Sequence, residues 1–333
     1  MPPPPTTEMK QAFTTKHCQT MRGHTGGVSG VAHLPDGRRI VTCSYDGSLR
    51  LWNLESGVQI GNDWRDDGQE EVWSIVLCPN GKTVASGSGD GKVRLWDVET
   101  KKVVARWSGH TDVVRSLCWS VDGERLVSGS NDGTFRVWDV ESGDTVVGPI
   151  NTGHMFVSAL IYSPDTTKIA TGGYKENALK IWDAKTGDLL STIKHDEQVF
   201  SLAWTLEKLI TGSKPSIRIF DTATWQQIAI LEGHTSFVFS LSLFQHVRLL
   251  ASGGDETARL WNLDTNIPVG PLIQHQAFVY SAAISADGKQ LVTGCGNGDV
   301  NVWDIHSTLK DAGLEDLLSI HDVNTPTSIP SPH

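Results

Sequence analysis

Clustered basic residues are almost absent from this chain of 333 residues. The only adjacent basic pairs are Arg38-Arg39 and Lys101-Lys102, and the formal net charge is −10. Surfaces that bind nucleic acid or anionic lipid need a concentrated positive charge. We therefore expect neither nucleic acid nor a membrane surface to be a partner of this protein.

Cysteine motifs and long apolar runs are also lacking. The five cysteines (18, 43, 78, 118 and 295) are scattered, with neither a CxxC motif nor another metal-ligand spacing. This scatter predicts buried free thiols in a reducing compartment and no metal site, and we expect no cofactor. No segment reaches the ~18 apolar residues of a membrane span, and the start Met-Pro-Pro-Pro-Pro does not resemble a signal peptide. We expect a soluble, cytoplasmic protein, with the nucleus as the alternative location.

A repeat runs through the whole sequence. Six times an apolar, β-rich run ends on Trp followed by Asp or Asn, and a seventh copy survives as Phe220-Asp221. Successive intervals are 44, 42, 44, 38, 41 and 42 residues. A repeat of this length indicates one array of similar supersecondary units. The six Trp pairs are Trp52-Asn53, Trp96-Asp97, Trp138-Asp139, Trp182-Asp183, Trp261-Asn262 and Trp303-Asp304.

One unit, Gly109–Val147, predicts four short strands. Val113–Trp119, Glu124–Ser128, Thr134–Val140 and Asp144–Val147 are separated by Asp-Gly and Ser-Gly turns. Runs of about five residues joined by such turns form an antiparallel meander. A sheet of this kind is apolar on both faces, so it is stable only when neighbouring copies cover it.

The order Gly-His, Asp-Gly, Ser-Gly-Ser-x-Asp-Gly and Trp-Asp at this period resembles the WD40 family of β-propellers, over about residues 15–305. The resemblance implies an all-β, seven-bladed propeller at residues 15–306, each blade a four-stranded antiparallel sheet. It also implies that Thr15–Met21 forms the outer strand of the last blade and closes the ring. We expect residues 1–14 and 321–333 to be disordered and residues 307–320 to form a C-terminal helix, with Thr308 and Asp311 at its start.

The resemblance further implies a hydrogen-bonded tetrad of His, Ser or Thr, Asp and Trp inside each blade. Several blades depart from it: Gly68 stands at the His position of blade two, and blade five has Phe220 for Trp. The tetrad positions are His24, Thr42, Asp46 and Trp52; Ser86, Asp90 and Trp96; His110, Ser128, Asp132 and Trp138; His154, Thr171 and Trp182; His195 and Thr211; His234, Ser252, Asp255 and Trp261; and His275, Thr293, Asn297 and Trp303.

The same residue types form catalytic Ser-His-Asp triads, but the pattern here argues for structure. A triad occurs once, in a cleft, whereas this set recurs in several blades and is paired with a Trp. It also satisfies buried polar groups that would be costly if left unpaired. We therefore predict no catalytic residues and a non-enzymatic function.

WD40 propellers commonly receive partners on the face at the start of the innermost strands. Eight of nineteen residues at the corresponding positions are aromatic, and aromatic residues and Arg dominate binding hot spots. We predict that a monomer binds a protein or peptide there, with the footprint centred on blades four to seven. The predicted contacts are Tyr45, Trp73, Arg115, Phe156, Phe200, Phe237, Phe239, Phe278 and Tyr280.

Other interpretations of these aromatic residues stay open. They could pack in the core between blades, because a strand alternates its faces. They could also line a channel mouth that binds a small molecule or a modified Lys, since aromatic faces attract cations. A structural subunit of a larger complex would instead show a broad apolar side wall, and an enzyme would need a single charged cleft.

Overall fold

The computed structural model describes residues 15–66, 70–175, 178–244 and 248–318. In this part of the chain, the strands form seven antiparallel sheets arranged as the blades of a propeller. The first strand of every blade lines one central channel of about 620 Å³ and is therefore the innermost. The predicted all-β propeller of seven blades is confirmed.

The strands of a blade follow each other from the channel outward. From blade one to blade seven, the innermost strands are Val28–His33, Val72–Leu77, Val114–Trp119, Phe156–Tyr162, Ser201–Trp204, Ser240–Leu243 and Val279–Ile284. The second strands are Arg39–Ser44, Thr83–Ser88, Arg125–Ser130, Lys168–Tyr174, Lys208–Gly212, Leu249–Gly253 and Gln290–Cys295. The third strands are Leu49–Asn53, Val93–Asp97, Thr134–Asp139, Ala178–Asp183, Ile217–Asp221, Thr257–Asn262 and Val300–Asp304.

The outer strands of blades two to six come from the same repeat as their blade. They are Val103–Trp107, Thr145–Asn151, Leu189–Lys194, Gln227–Leu231 and Ile267–Gln274. In blade one, the outer segment pairs with Leu49–Asn53 through two isolated bridges, Leu49 with Trp64 and Trp52 with Gln59. Blade one therefore has an outer segment at the position of the fourth strand, but this segment pairs with the third strand only through these two bridges.

Blade seven takes its outer strand from the beginning of the chain. Lys16–Met21 pairs antiparallel with Val300–Asp304, from Lys16 opposite Asp304 to Met21 opposite Val300. Met21 is 1% exposed and packs in the apolar cluster between blades seven and one. The predicted ring closure by the N-terminal strand is confirmed, and it leaves no open seam between the first and last blades.

The hydrophobic core is divided into seven clusters of the described residues, each lying between two adjacent blades. Trp138 of blade three, for example, stacks on Trp107 of blade two with ring centroids 5.6 Å apart. No blade buries its faces alone, because each face is covered by its neighbour. The recurring Trp of the repeat therefore serves as a packing contact between adjacent blades.

Glycine at the Asp-Gly hairpins has a steric reason that Gly133 illustrates. Its φ of +78° lies in the left-handed region, which other residues rarely adopt. A Cβ there would also lie 2.7 Å from the carbonyl oxygen of His154 in the next blade. The turn signal in the sequence thus marks a close backbone contact between blades as well as a chain reversal.

Serines of the innermost strands bridge neighbouring blades across the channel wall. Ser29 Oγ donates to the carbonyl oxygen of Val72 over 2.6 Å, and Ser201 Oγ donates to that of Val238 over 3.0 Å. Ser240 Oγ accepts from the amide of Ala282 over 3.0 Å. These bonds fix the innermost strands to each other beneath the face where the candidate partner-binding residues lie.

The C-terminal segment differs from the single helix predicted over residues 307–320. An α-helix spans Ile305–Asp311, and a separate 3₁₀ turn spans Glu315–Leu318. Asp304, and not Thr308 or Asp311, caps the helix by accepting a hydrogen bond from the Ser307 amide. Gly313, with φ of +67°, separates the two elements because its conformation is incompatible with a continuous helix.

Both elements pack against blades six and seven. Leu309 and Leu317 are fully buried in the cluster that joins these blades. Arg248 of blade six donates to the carbonyl oxygen of Asp316 over 3.0 Å. The predicted disordered segments, residues 1–14 and 321–333, lie outside the described residues.

Candidate functional site

Among the described residues, the complete tetrad is seen in three blades. In blade three, Trp138 Nε1 donates to Ser128 Oγ over 2.7 Å, and this hydroxyl lies 2.8 Å from His110 Nε2. His110 Nδ1 lies 2.8 Å from Asp132 Oδ2, so the imidazole donates to the carboxylate and accepts from the hydroxyl. The same connections join His24, Thr42, Asp46 and Trp52 in blade one, and His234, Ser252, Asp255 and Trp261 in blade six.

The environment of the tetrad favours a structural role. Ser128 is completely buried and its oxygen already contacts both Trp138 and His110. Burial opposes ionisation of Asp132, but hydrogen bonds from His110 and Thr134 outweigh it and hold its pKa below the usual range. A nucleophilic serine needs access to substrate, which this hydroxyl does not have. The tetrad instead ties the hairpin to the loop that enters the blade.

In blade two, an arginine makes the contact with the tetrad Asp that a histidine makes in the complete tetrads. Trp96 still donates to Ser86 over 2.8 Å. Asp90 receives two bonds from Arg94, at 2.9 and 2.7 Å, and Arg94 Nε also donates to Asp66 over 2.7 Å. Arg94 is 5% exposed, so it forms a buried ion pair that the sequence comparison of tetrad positions did not reveal. Gly68 lies outside the described residues.

In blade seven, the expectation that Asn297 completes the tetrad is wrong. Asn297 is exposed and its amide donates to Asp299 over 3.0 Å. His275 Nδ1 instead lies 3.0 Å from the carbonyl oxygen of Ile273, while its Nε2 lies 2.8 Å from Thr293 Oγ1. Asn has no negative charge with which to attract the imidazole, and a backbone carbonyl replaces it. Trp303 donates to Thr293 over 3.1 Å, as predicted.

Blade four is described only in part, and blade five departs from the tetrad. In blade four, Trp182 donates to Thr171 over 2.9 Å, and His154 is buried. Residues 176 and 177, in the hairpin turn of this blade, lie outside the described residues. In blade five, His195 Nε2 lies 3.0 Å from Thr211 Oγ1 and its Nδ1 lies 2.7 Å from the carbonyl oxygen of Glu197. A backbone carbonyl thus replaces the carboxylate in blade five as it does in blade seven.

The nine predicted partner-binding residues form one connected set around the mouth of the channel, which we call the aromatic rim. Arg115 lies 4.5 Å from the ring centre of Trp73 and 5.8 Å from that of Phe156. Tyr45 contacts Trp73 on one side, with centroids 4.5 Å apart, and Tyr280 on the other, at 5.9 Å. These contacts carry the rim from blade four through blades three, two and one to blade seven.

Phe239 joins the remaining members. Its ring lies 5.4 Å from Tyr280, 5.8 Å from Phe200, 5.5 Å from Phe237 and 6.2 Å from Phe278. Most of these pairs are edge-to-face, the arrangement that aromatic quadrupoles favour. The aromatic residues of blades five to seven therefore form a continuous apolar surface.

Exposure separates the rim from the core. None of its nine members is buried, and Phe278 is 42% exposed. None belongs to the seven apolar clusters between blades. The interpretation that these side chains fill the core is therefore not supported, and a connected apolar surface of this kind usually marks a contact site.

Two side chains of the rim's surroundings were missed from the sequence. Tyr174 is 42% exposed and stacks on Phe156 at 5.7 Å, and Lys214 Nζ lies 5.1 Å from the ring of Phe237. Tyr174 is the last residue of the second strand of blade four, and Lys214 lies two residues after that of blade five. Each lies three residues after the Thr of its tetrad position, as Tyr45 does in blade one. Their divergent turns hid this shared position from the comparison of the repeats.

Two kinds of feature are absent from the described residues, a cluster of metal-ligand side chains and a membrane-spanning helix. No group of three or more His, Cys, Asp or Glu side chains in residues 15–318, outside the gaps, is placed to hold a metal ion. Within the same ranges, no helix is long and apolar enough to span a bilayer.

Comparison with known proteins identifies the fold family. A family model described as "IFT122 first beta-propeller" matches residues 66–304, and one described as "WD domain, G-beta repeat" matches residues 15–53. The chain is 33% identical over 115 residues to the APC/C activator protein CDH1 of Saccharomyces cerevisiae, which covers 32% of the chain and 20% of the relative.

Two further relatives match longer segments. The chain is 26% identical over 181 residues to the nuclear distribution protein nudF of Aspergillus niger, covering 50% of the chain and 41% of the relative. It is 24% identical over 290 residues to the apoptotic protease-activating factor 1 of Rattus norvegicus, covering 85% of the chain and 22% of the relative. It thus spans less than half the length of these relatives. The repeats, the tetrads and the family matches together show that the chain belongs to the WD40-repeat β-propeller family.

Proposed function

We propose that the protein is a non-enzymatic interaction scaffold that binds a protein or peptide on the aromatic rim. The observation that carries this proposal is the connected, partly exposed set of eight aromatic side chains and Arg115 at the channel mouth. Aromatic and Arg side chains at the centre of an interface contribute most of its binding energy. The serine bridges between the innermost strands hold this surface rigid, which lowers the entropy lost on binding.

The relatives support a role in assemblies. Their names describe an activator of the APC/C, a nuclear distribution protein and a protease-activating factor. Each of these names refers to an action on another protein or on a larger process, and none names a reaction catalysed by the propeller. Tetrads with buried hydroxyls are consistent with this view, because they offer no accessible nucleophile.

The test is a comparison of affinity capture from native extract by three proteins. The double variant Phe239→Ala and Tyr280→Ala removes the two rings that join the two halves of the rim. The control, Leu206→Ala, removes a 79% exposed apolar side chain from a turn between first and second strands, at the opposite face. We expect the wild type and the control to retain the same proteins and the double variant to lose them.

Thermal melting decides whether the loss concerns binding or folding. Because the two rings are partly exposed, we expect the melting temperature of the double variant to fall by only about 2–4 °C. Unchanged capture by the double variant would contradict the proposal. A much larger fall in melting temperature would assign these rings to the core.

One observation favours a second candidate, a structural subunit that packs through its side wall. The outer strands of blades four to six expose neighbouring apolar side chains: Leu189 and Leu190, Ile228 and Ile230, and Ile267 and Leu272. Apolar patches on exposed edge strands are frequently covered by another chain. If this candidate is correct, Ile228→Lys will abolish capture and the rim variant will not.

The reading of a modified Lys at the channel mouth is less well supported. The face of Trp73, the best cation site among the rim's rings, is already covered by the guanidinium of Arg115 at 4.5 Å. A second cation there would be repelled by the first.

A further inference from the structure

Arg115 is the cation of the aromatic rim, and its position is fixed from several sides. Its guanidinium lies against the rings of Trp73 and Phe156, and its Nε donates to the side-chain oxygen of Asn131. These contacts orient the plane of the guanidinium and leave the two terminal nitrogens without a hydrogen-bond partner among the described residues. Arg115 also lines the central channel, so these nitrogens are accessible from the mouth.

The charge of Arg115 is not compensated by a contacting carboxylate. In the described ranges, no acidic oxygen lies within ion-pair distance of its nitrogens, whereas Arg50, Arg94 and Arg248 each pair with an Asp. Partial burial disfavours the charged form and lowers the pKa of Arg115, although Tyr45 and Asp112 oppose this effect. A partly desolvated, oriented guanidinium without a counterion has its strongest interaction with a planar carboxylate.

We propose that the channel mouth receives the carboxylate of an Asp or Glu in a partner peptide, held in a bidentate pair by Arg115, with apolar residues of the peptide next to it on Phe239 and Phe278. The proposal rests on the proposed function, since it specifies the chemistry of the partner that the aromatic rim binds. A single guanidinium matches one carboxylate, whereas a phosphorylated residue carries nearly two charges and is normally bound by a cluster of Arg residues.

Charges near the rim indicate the side from which the acidic peptide approaches. Glu70, Glu71 and Asp112 are exposed beside blades two and three, where they repel a second acidic group. Lys175 and Lys214 are exposed at the hairpins of blades four and five, next to the aromatic surface of the rim. The peptide is therefore expected to cross blades four to seven and to end its contact at Arg115.

The probe is a phage-displayed library of random 12-residue peptides selected on the intact protein. We expect the wild type to enrich sequences with Asp or Glu at one fixed position beside aromatic or large aliphatic residues. Arg115→Met keeps the apolar length of the side chain, so it should retain the apolar preference and lose the acidic one. Arg38→Met, on an exposed turn at the opposite face, is the matched control and should select as the wild type does.

Direct binding of one enriched peptide then measures the pair. Replacing its acidic residue by the corresponding amide should weaken binding to the wild type by about 10- to 100-fold, the usual effect of losing a charged hydrogen-bond pair. Arg115→Met should bind the acidic and amide peptides equally. Arg115→Glu should bind most tightly to a variant of the same peptide in which Lys replaces the acidic residue.

The outcomes separate this inference from the proposed function. Enriched peptides without an acidic residue, or equal binding of the acidic and amide peptides to the wild type, would overturn the role of Arg115 and leave the rim as a binding surface. Failure of the wild type to enrich any peptide would overturn both proposals. Matching melting curves for the Arg115 variants and the wild type ensure that a loss of selection reflects the site.

Discussion

Acid should destabilise this protein between about pH 6.5 and pH 4 because of two buried histidines. His195 is 1% exposed and His275 is 7% exposed, and each donates from Nδ1 to a backbone carbonyl oxygen instead of a carboxylate. Burial lowers the pKa of each to about 4, and the Arg218 charge adds to the effect on His195. Neither imidazole has an acidic side chain in its tetrad that would stabilise the protonated form.

The sign and the size follow from proton linkage. In the unfolded chain a histidine titrates near pKa 6.5, so between pH 6.5 and 4 the unfolded state binds protons that the folded state does not. The free energy of unfolding therefore falls as the pH is lowered. From pH 7 to pH 5 the loss amounts to about 2 kcal/mol for each histidine and about 4 kcal/mol for the pair.

Urea unfolding at pH 7 and pH 5 measures the effect. The variant His195→Asn is expected to be less stable at pH 7 but to lose about 2 kcal/mol less than the wild type on acidification. Thr211→Val removes the hydroxyl that contacts the same imidazole while keeping the imidazole itself. It should lower stability and keep most of the pH dependence, which makes it the control for general damage to blade five.

The reasoning is refuted if His195→Asn and the wild type lose the same free energy of unfolding between pH 7 and pH 5. Burial also lowers the pKa of His33 and His234, and their titration adds to the wild-type loss. The titration of these two histidines does not affect the comparison of His195→Asn with the wild type, because both proteins keep them. The lowered pKa values of Asp46, Asp132 and Asp255 matter only nearer pH 4, where unfolded carboxyl groups take up protons.

Two further changes test how the blades are held together. Trp138→Phe removes the donor to buried Ser128 and part of a contact with Trp107. It should lower the free energy of unfolding by about 1–3 kcal/mol in urea titrations. An unchanged free energy of unfolding would mean that the tetrad hydrogen bond does not stabilise blade three. Arg94→Met leaves Asp90 without its two hydrogen bonds from Arg94 and should lower the free energy of unfolding by about 3 kcal/mol at pH 7. The difference in stability from the wild type should shrink at acid pH, because the Asp90 carboxyl becomes protonated. An equal difference at every pH would contradict the ion-pair argument.

The architecture could be predicted from the sequence because each unit repeats the same signals. The Trp at the end of the third strand and the Asp-Gly hairpin recur often enough to define blades even where one signal is lost, as at Phe220. Ring closure was also predictable, since Thr15–Met21 precedes the first repeat and a strand is missing after Trp303. Individual strand ends shifted by one to four residues, because hydrogen bonding at a blade edge depends on the neighbouring turn.

Features that do not repeat were predicted poorly. The C-terminal helix ended early at Asp311, because Gly313 interrupts an otherwise helical pattern of leucines. Arg94 could not be recognised as a replacement for the absent histidine, because it comes from a different strand position. Asn297 was assigned to the tetrad by alignment, although only the structure shows that a carbonyl group replaces it.

The rim was predicted as a set of residues but not as an arrangement. Alignment of the repeats placed the nine residues at one face, and the structure shows how they contact each other. The sandwich of Arg115 between Trp73 and Phe156 depends on the distance between blades two, three and four. No pattern within a single repeat contains that distance. Binding by the rim and the cytoplasmic location stay predictions.

Closure of the ring by the first strand has a practical consequence for experiments with immobilised protein. The Thr308 hydroxyl lies 3.2 Å from that of Thr15, so the two ends of the propeller meet beside blade seven. This point lies at the end of the blades where first and second strands are connected, away from the channel mouth. A biotin or an affinity tag attached at either end of the propeller should therefore immobilise the protein through the face opposite the aromatic rim. All nine rim residues should then remain accessible to a partner in solution.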